Sequence, residues 1–166
     1  VRDVSSIIVD GYNLIGISHD DLAKQREDLV RLLAAYKKLK GHYIVLVFDG
    51  WKSGGLREET LRTGGITVIY SKLGEKADSV IKRIVGKGTK EWIVVSSDRE
   101  VTAHAWSHGS VPVASERFHS LLEDAGRPTA GKYDPLYEEE IAAPRKGSSR
   151  TPSRKEKALL RILKKL

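Results

Sequence analysis

Apolar residues in this chain come in short continuous runs, and the stretches between them carry helical spacing. The runs are residues 5–9, 43–48, 66–70, 92–95 and 111–113, built mostly from Ile and Val. A continuous β-branched run of that length predicts a strand buried on both faces. Between the runs, Leu22, Leu29, Leu32, Leu33 and Tyr36 recur near a helical period. They predict a helix over about 21–40, stopped by Gly41. Ala77, Val80, Ile81 and Ile84 predict another over 76–85. Residues 99–107 and 115–124 read as two more, the last capped by Ser115. Residues 52–63 read as a glycine-containing loop followed by a short helix. Strands alternating with helices imply an α/β fold with a parallel sheet and right-handed crossovers.

The pattern fades after Gly126. Residues 127–152 are rich in Pro, Gly, Ser and charge and read as a flexible linker after a globular domain of residues 1–126. Residues 153–166 place Ala158, Leu159, Ile162, Leu163 and Leu166 at helical spacing with cations between them, a basic amphipathic helical tail. Charge sharpens this division. The chain carries +7, but residues 145–166 alone carry +8, so the other 144 residues sum to −1. Nine cations make up the tail: Arg145, Lys146, Arg150, Arg154, Lys155, Lys157, Arg161, Lys164 and Lys165. Such a tail fits a polyanionic partner.

The absence of cysteine excludes disulfides, thiolate zinc sites and a cysteine nucleophile. No run is long enough to span a bilayer and none reads as a secretory leader, so no membrane partner and a cytoplasmic location are expected. The chain starts at Val1 and has no methionine, so a trimmed N-terminus is expected.

Three aspartates stand just past apolar runs: Asp10, Asp49 and, after two serines, Asp98. Asp78 opens the helix between two of the runs. In an open parallel sheet the strand C-termini share one edge, and ligands bind in the crevice there. Carboxylates gathered at that edge repel one another unless a cation neutralises them. The spacing therefore suggests a hard-metal site and phosphate chemistry. Each motif also has an ordinary account. Asp10-Gly11-Tyr12-Asn13 is good turn chemistry. Asp49 could cap the next element. Glu75 suits a helix N-terminus through the macrodipole. A capping box of Ser97 with Glu100 would explain those two and leave Asp98 facing the crevice.

Other candidates carry less. Residues 126–133 approach a P-loop, but Tyr133 stands where a hydroxyl should meet magnesium and no strand precedes it. There is no Gly-x-Ser-x-Gly elbow. His104 and His108 lack a third ligand. Trp51, Tyr12 and Trp106 could stack on bases, though burial is the commoner use of such rings.

Val9-Asp10-Gly11-Tyr12-Asn13-Leu14-Ile15, Val47-Phe48-Asp49-Gly50, Glu75-Lys76-Ala77-Asp78 and Val95-Ser96-Ser97-Asp98 resemble, in order and spacing, the YacP-like branch of the NYN-domain family, among the PIN-like metal-dependent ribonucleases. The resemblance covers roughly residues 4–124. It implies a three-layer α/β/α PIN-like fold and an acidic pocket for Mg²⁺ or Mn²⁺. It also implies endonucleolytic cleavage of RNA, with Asp10, Asp78 and Asp98 as catalytic and metal-holding acids. Asn13, Asp49, Ser97 and Arg26 match supporting positions. The partner on this reading is RNA, free or on the ribosome. The branch usually has a second acid directly after the Asp78 position, where this chain has Ser79. That departure leaves room for an alternative, a non-catalytic RNA- or ribosome-binding module on the same fold. A receiver-like phosphoacceptor domain would want paired acids after the first strand and a lysine after the last, and neither is evident.

Overall fold

The computed structural model describes residues 3–16, 21–50, 55–126 and 151–166. Most of the expected linker, Trp51, Arg145, Lys146, Arg150 and nearly all of the P-loop-like stretch lie outside the described residues. In chain order the elements are β1 (Ser6–Asp10), α1 (Gly11–Ile15), α2 (Leu22–Lys40), β2 (Tyr43–Phe48), β3 (Glu59–Thr63), β4 (Ile66–Tyr70), α3 (Ala77–Gly86), β5 (Trp92–Val95), α4 (Arg99–Ser107), β6 (Val111–Val113), α5 (Ser115–Ala125) and α6 (Arg154–Leu163).

The strands form one six-stranded sheet in the order β3-β4-β2-β1-β5-β6. All neighbours are parallel except β3 against β4. Ile7, Ile8 and Val9 of the central β1 are fully buried, because helices cover both faces. Ile7, Val9, Ile44, Leu46, Phe48 and Val68 face one core with α2, α5 and α6. Ile8, Val45, Val47 and Ile69 face the other with α3 and α4. This is the three-layer α/β/α arrangement, and β1 and β5 flank the point where the strand order reverses.

One predicted element is corrected. The short helix expected before residue 63 is β3, an antiparallel edge strand whose residues are all exposed. Glu59, Leu61 and Arg62 favour a helix on propensity. The turn overrides them: Thr63 pairs with Ile66, and Gly64 and Gly65 between them have φ of 60° and 83°. Positive φ at both central residues is what a two-residue type I′ hairpin requires.

The basic tail is helical and docked. Ser153 and Glu156 form a reciprocal capping box at the start of α6. Ile162 and Leu166 are buried in the core beside α2 and α5. The Tyr36 hydroxyl donates to the Leu166 carbonyl at 2.7 Å. His42, buried just before β2, accepts from the Ser5 N–H at Nδ1 (3.2 Å). Its Nε2 lies 3.1 Å from the Lys165 carbonyl, so Nε2 carries the proton. Burial holds the His42 pKa below its ordinary value. Among the described residues, no helix is long and apolar enough to cross a membrane.

Candidate active site

The close packing of β1 and β2 sets the geometry at their C-terminal ends. A Cβ on Gly11 would strike the Phe48 ring, and one on Gly50 would strike the Ser71 carbonyl. Glycine at both places lets the chain turn tightly after Asp10 and Asp49. Asp10 then caps the five-residue α1, its Oδ1 accepting from the Asn13 N–H at 3.4 Å. Asp49 reaches across to α3, where its Oδ1 accepts from the Ala77 N–H. Ser71 braces the same corner, its hydroxyl accepting from Gly50 N–H (2.8 Å) and donating to the Glu75 carbonyl (2.5 Å).

Asp78 is the second residue of α3 and half-buried; its Oδ1 accepts from Ser79 N–H at 2.9 Å. Its Oδ2 lies 3.8 Å from the Lys82 ammonium, one helical turn on. Lys82 also pairs with Glu100 at 2.8 Å, bridging α3 and α4. Asp98 caps α4, its Oδ1 accepting from Glu100 N–H (2.9 Å) and Val101 N–H (3.0 Å). The ordinary account of Ser97 and Glu100 as a capping box is therefore set aside. Asp98 is the cap, so one of its oxygens is committed to the helix.

Asp49, Asp78 and Asp98 act electrostatically on Asp10. Burial pushes the Asp10 carboxyl up to about 6, and the Asn13 N–H partly offsets the rise. The negative charges of Asp49, Asp78 and Asp98 push it up further. Among the described residues, no three Asp, Glu or His side chains converge closely enough to ligate one ion as they stand.

Asn13 serves the framework. Its Oδ1 accepts from Ser97 N–H (2.8 Å) and from the Ser115 hydroxyl (2.5 Å). It thus ties the loop after β1 to the loops after β5 and β6. Ser97 continues the network: its hydroxyl accepts from Ser115 N–H (3.0 Å) and donates to Glu116 Oε2 (2.8 Å). The Glu116 carboxyl is held below its usual range by its own backbone N–H and by Ser97. Ser115 is not the cap of α5 that its position in the sequence suggests. It is the first helical residue, Ala114 is the cap, and the hydroxyl goes to Asn13.

Arg26 lies on α2. Its Nη1 donates to the Tyr12 hydroxyl at 3.0 Å, and its charge partly offsets the burial that raises the Tyr70 pKa. Glu116, Ser115 and Lys82 do not stand out as site residues in the sequence. Lys82 has a signal, four residues past Asp78 on one helix face. Glu116 has a weaker one, standing just past the short run of residues 111–113.

The described tail cations lie elsewhere. Arg161 pairs with Glu91, just before β5, at 2.8 Å, and Lys165 pairs with Asp3, just before β1, at 2.6 Å. The Lys155 ammonium sits 5.4 Å from the centre of the Trp106 ring. These partners put α6 at the edge where the strands begin, opposite the aspartates. His104 and His108 stack at 4.0 Å, with His104 Nε2 2.9 Å from the Lys82 carbonyl.

Comparison with known proteins agrees with this architecture. The model of the YacP-like NYN domain matches residues 7–163. A curated relative, the uncharacterized protein YacP of Bacillus subtilis (strain 168), is 29% identical over 85 residues. That match covers 47% of this chain and 49% of the relative, so it spans about half of each. The crystal structure of Rae1 (YacP) from Bacillus subtilis aligns with TM-score 0.62 at 20% identity, covering 97% of this chain and 91% of that one. A mutant form of it aligns with TM-score 0.62 at 19% identity, covering 84% and 83%. At that identity the likeness is one of fold. The chain belongs to the YacP-like NYN domain family.

Proposed function

We propose that this YacP-like NYN protein is a divalent-metal-dependent endoribonuclease that cuts RNA phosphodiester bonds at the aspartate edge. The observation that carries the reading is Asp10. Burial, with three further aspartates acting on it, raises its carboxyl to about 6 at the point where the strand order reverses. The Lys82 ammonium, 3.8 Å from Asp78, offsets part of that negative charge, and a bound cation would offset more.

The donor set fits Mg²⁺ or Mn²⁺, which prefer carboxylate oxygens. Mg²⁺ usually takes only one or two carboxylates and keeps several waters. A set looser than a closed cage therefore suits it. Asp10, Asp78 and Asp98 would hold the ion, with Asp49 anchoring the start of α3 beside them. Once bound, the ion supplies the positive charge that phosphodiester hydrolysis requires. Asn13 fixes the three loops against one another. Ser97 and Glu116 hold the approach to Asp98. Arg26, held by the Tyr12 hydroxyl, offers a cation on the α2 side for an adjoining phosphate.

The test is cleavage of internally labelled RNA by purified protein with EDTA, Mg²⁺ or Mn²⁺, for wild type, Asp10→Asn and Asp98→Asn. Each substitution is expected to reduce the rate at least about a hundredfold, the scale for losing one essential electrostatic group. Asparagine still caps α4, so the fold is kept. Wild-type cleavage by both variants would overturn the assignment. One observation favours a second reading, an RNA-binding module without turnover: Asp78 already shares the Lys82 ammonium, and Ser79 follows it where the branch has an acid. RNA binding with no metal-stimulated cleavage would select that reading.

A further inference from the structure

Arg154, Lys157, Arg161 and Lys164 are exposed and recur at steps of three, four and three along α6. Those steps put them on one face. Ala158, Leu159, Ile162 and Leu163 take the other, packed against the body. The stripe spans about 15 Å at 1.5 Å per residue. It is preorganised, because a capping box fixes the helix start and the buried Ile162 and Leu166 fix its end. Lys90 adds a further exposed cation at the same edge, 4.5 Å from the Tyr43 ring centre and 4.2 Å from that of Trp92.

The location of the stripe constrains what it can bind. Arg161 and Lys165 meet Glu91 and Asp3 where strands begin, whereas Asp10 lies where β1 ends. From Asp3 to Asp10 the extended chain runs about 23 Å at roughly 3.3 Å per residue. A stacked strand advances about 3.4 Å per nucleotide along a duplex axis. Even a straight path through the body would therefore need about seven nucleotides. A path around the body needs more, so a short oligonucleotide reaches one edge or the other.

We propose that the α6 stripe is a phosphate-binding surface for a structured arm of RNA whose cut site lies at the opposite edge, so that the substrate class is folded or long RNA engaged at two separated places. This rests on the nuclease reading for the cut site, but not for the binding. Charge complementarity selects the occupant. The cations of this rigid helix, with Arg161 shared with Glu91, match a polyanionic backbone, and contacts to phosphate position RNA without reading its sequence.

The test compares wild type with the Arg154→Gln, Lys157→Gln, Arg161→Gln triple variant, full length, in EDTA. The probe is a labelled 30-nucleotide hairpin, and the readout is binding across a salt series. The variant's log–log salt slope should flatten by about two, at roughly 0.7 per phosphate contact. Cleavage with Mn²⁺ should then show a raised KM and unchanged kcat on the hairpin, and no change in kcat/KM on a six-nucleotide strand. An unchanged slope overturns the proposal. So does an equal loss on the six-nucleotide strand, which would place both contacts at one edge. Wild-type binding to phosphatidylserine vesicles that exceeds hairpin binding, and is lost in the variant, would reassign the stripe to a membrane and overturn it. The binding arm needs no turnover, so it decides for or against the stripe even where the nuclease reading fails. Equal melting temperatures of the two proteins confirm that the variant folds.

Discussion

The two edges of the sheet are built in opposite ways. Where strands end, burial, helped by the charges of Asp49, Asp78 and Asp98, keeps the Asp10 carboxyl near 6. Where strands begin, the cations of α6 either meet a single acid, as Arg161 meets Glu91, or stand on an exposed helical face. The first edge holds unfavourable charge in place and depends on the fold to do so. The second sits on apolar packing and carries its charge outward at little cost. Strain of the first kind marks a site that something must complete. A surface of the second kind is ready to bind as it stands.

Four experiments test that contrast. The largest stability effect belongs to the basic edge, whose apolar footing is Ile162. Ile162→Ala should destabilise the protein by about 2–5 kcal/mol, the range for large-to-small core changes. Urea unfolding measures it. A change within experimental error would mean that α6 is only loosely laid on the body.

The next effect belongs to the acidic edge and has the opposite sign. An Asp10 pKa of about 6 in the folded state, against the ordinary aspartate value of 3.8, means that folding favours the protonated carboxyl. That stability is fully present below about pH 4 and is lost as pH rises through 6. Asp10→Asn should therefore be more stable than wild type at pH 7 without metal, by up to about 3 kcal/mol at 1.36 kcal/mol per tenfold change in proton affinity. The gain should shrink as pH falls towards 4. A gain that is flat with pH would sever the link to ionisation.

Divalent ions supply the third. An ion that binds only the folded state at a hundred times its dissociation constant adds about 2.7 kcal/mol. Millimolar Mn²⁺ should raise the wild-type melting temperature and leave Asp10→Asn unmoved. Equal shifts in both proteins would place the ion elsewhere. The smallest effect tests the helix that presents the stripe. Ser153→Ala removes a cap and should cost about 1 kcal/mol. Hydrogen exchange in the first turn of α6 would report it, and unchanged protection there would deny the capping box a role.

Much of this architecture is legible in the chain. The runs at 43–48, 66–70, 92–95 and 111–113 match their strands residue for residue, because a strand buried on both faces leaves no room for polar alternation. Three of the acids can be gathered on one edge because each follows such a run. β3 is hidden because its residues bury nothing; pairing with β4 and a double-glycine turn make it a strand. Glu116 is hidden because its tie to Ser97 crosses 19 residues and depends on which strands are neighbours. The amphipathic pattern of α6 shows a face to be buried but not what buries it.

The tie between the Tyr36 hydroxyl and the Leu166 carbonyl joins residues 130 apart in sequence. A contact of such separation forms late, since a long segment of chain must be confined before the bond returns anything. The parallel strands and their helices can assemble while α6 is still unattached. Until it docks, the seat of Ile162 beside α2 and α5 lies open. On that ground folding is expected to run from the aspartate edge to the cationic one: the chain would acquire the place where RNA would be cut before the surface that would hold it.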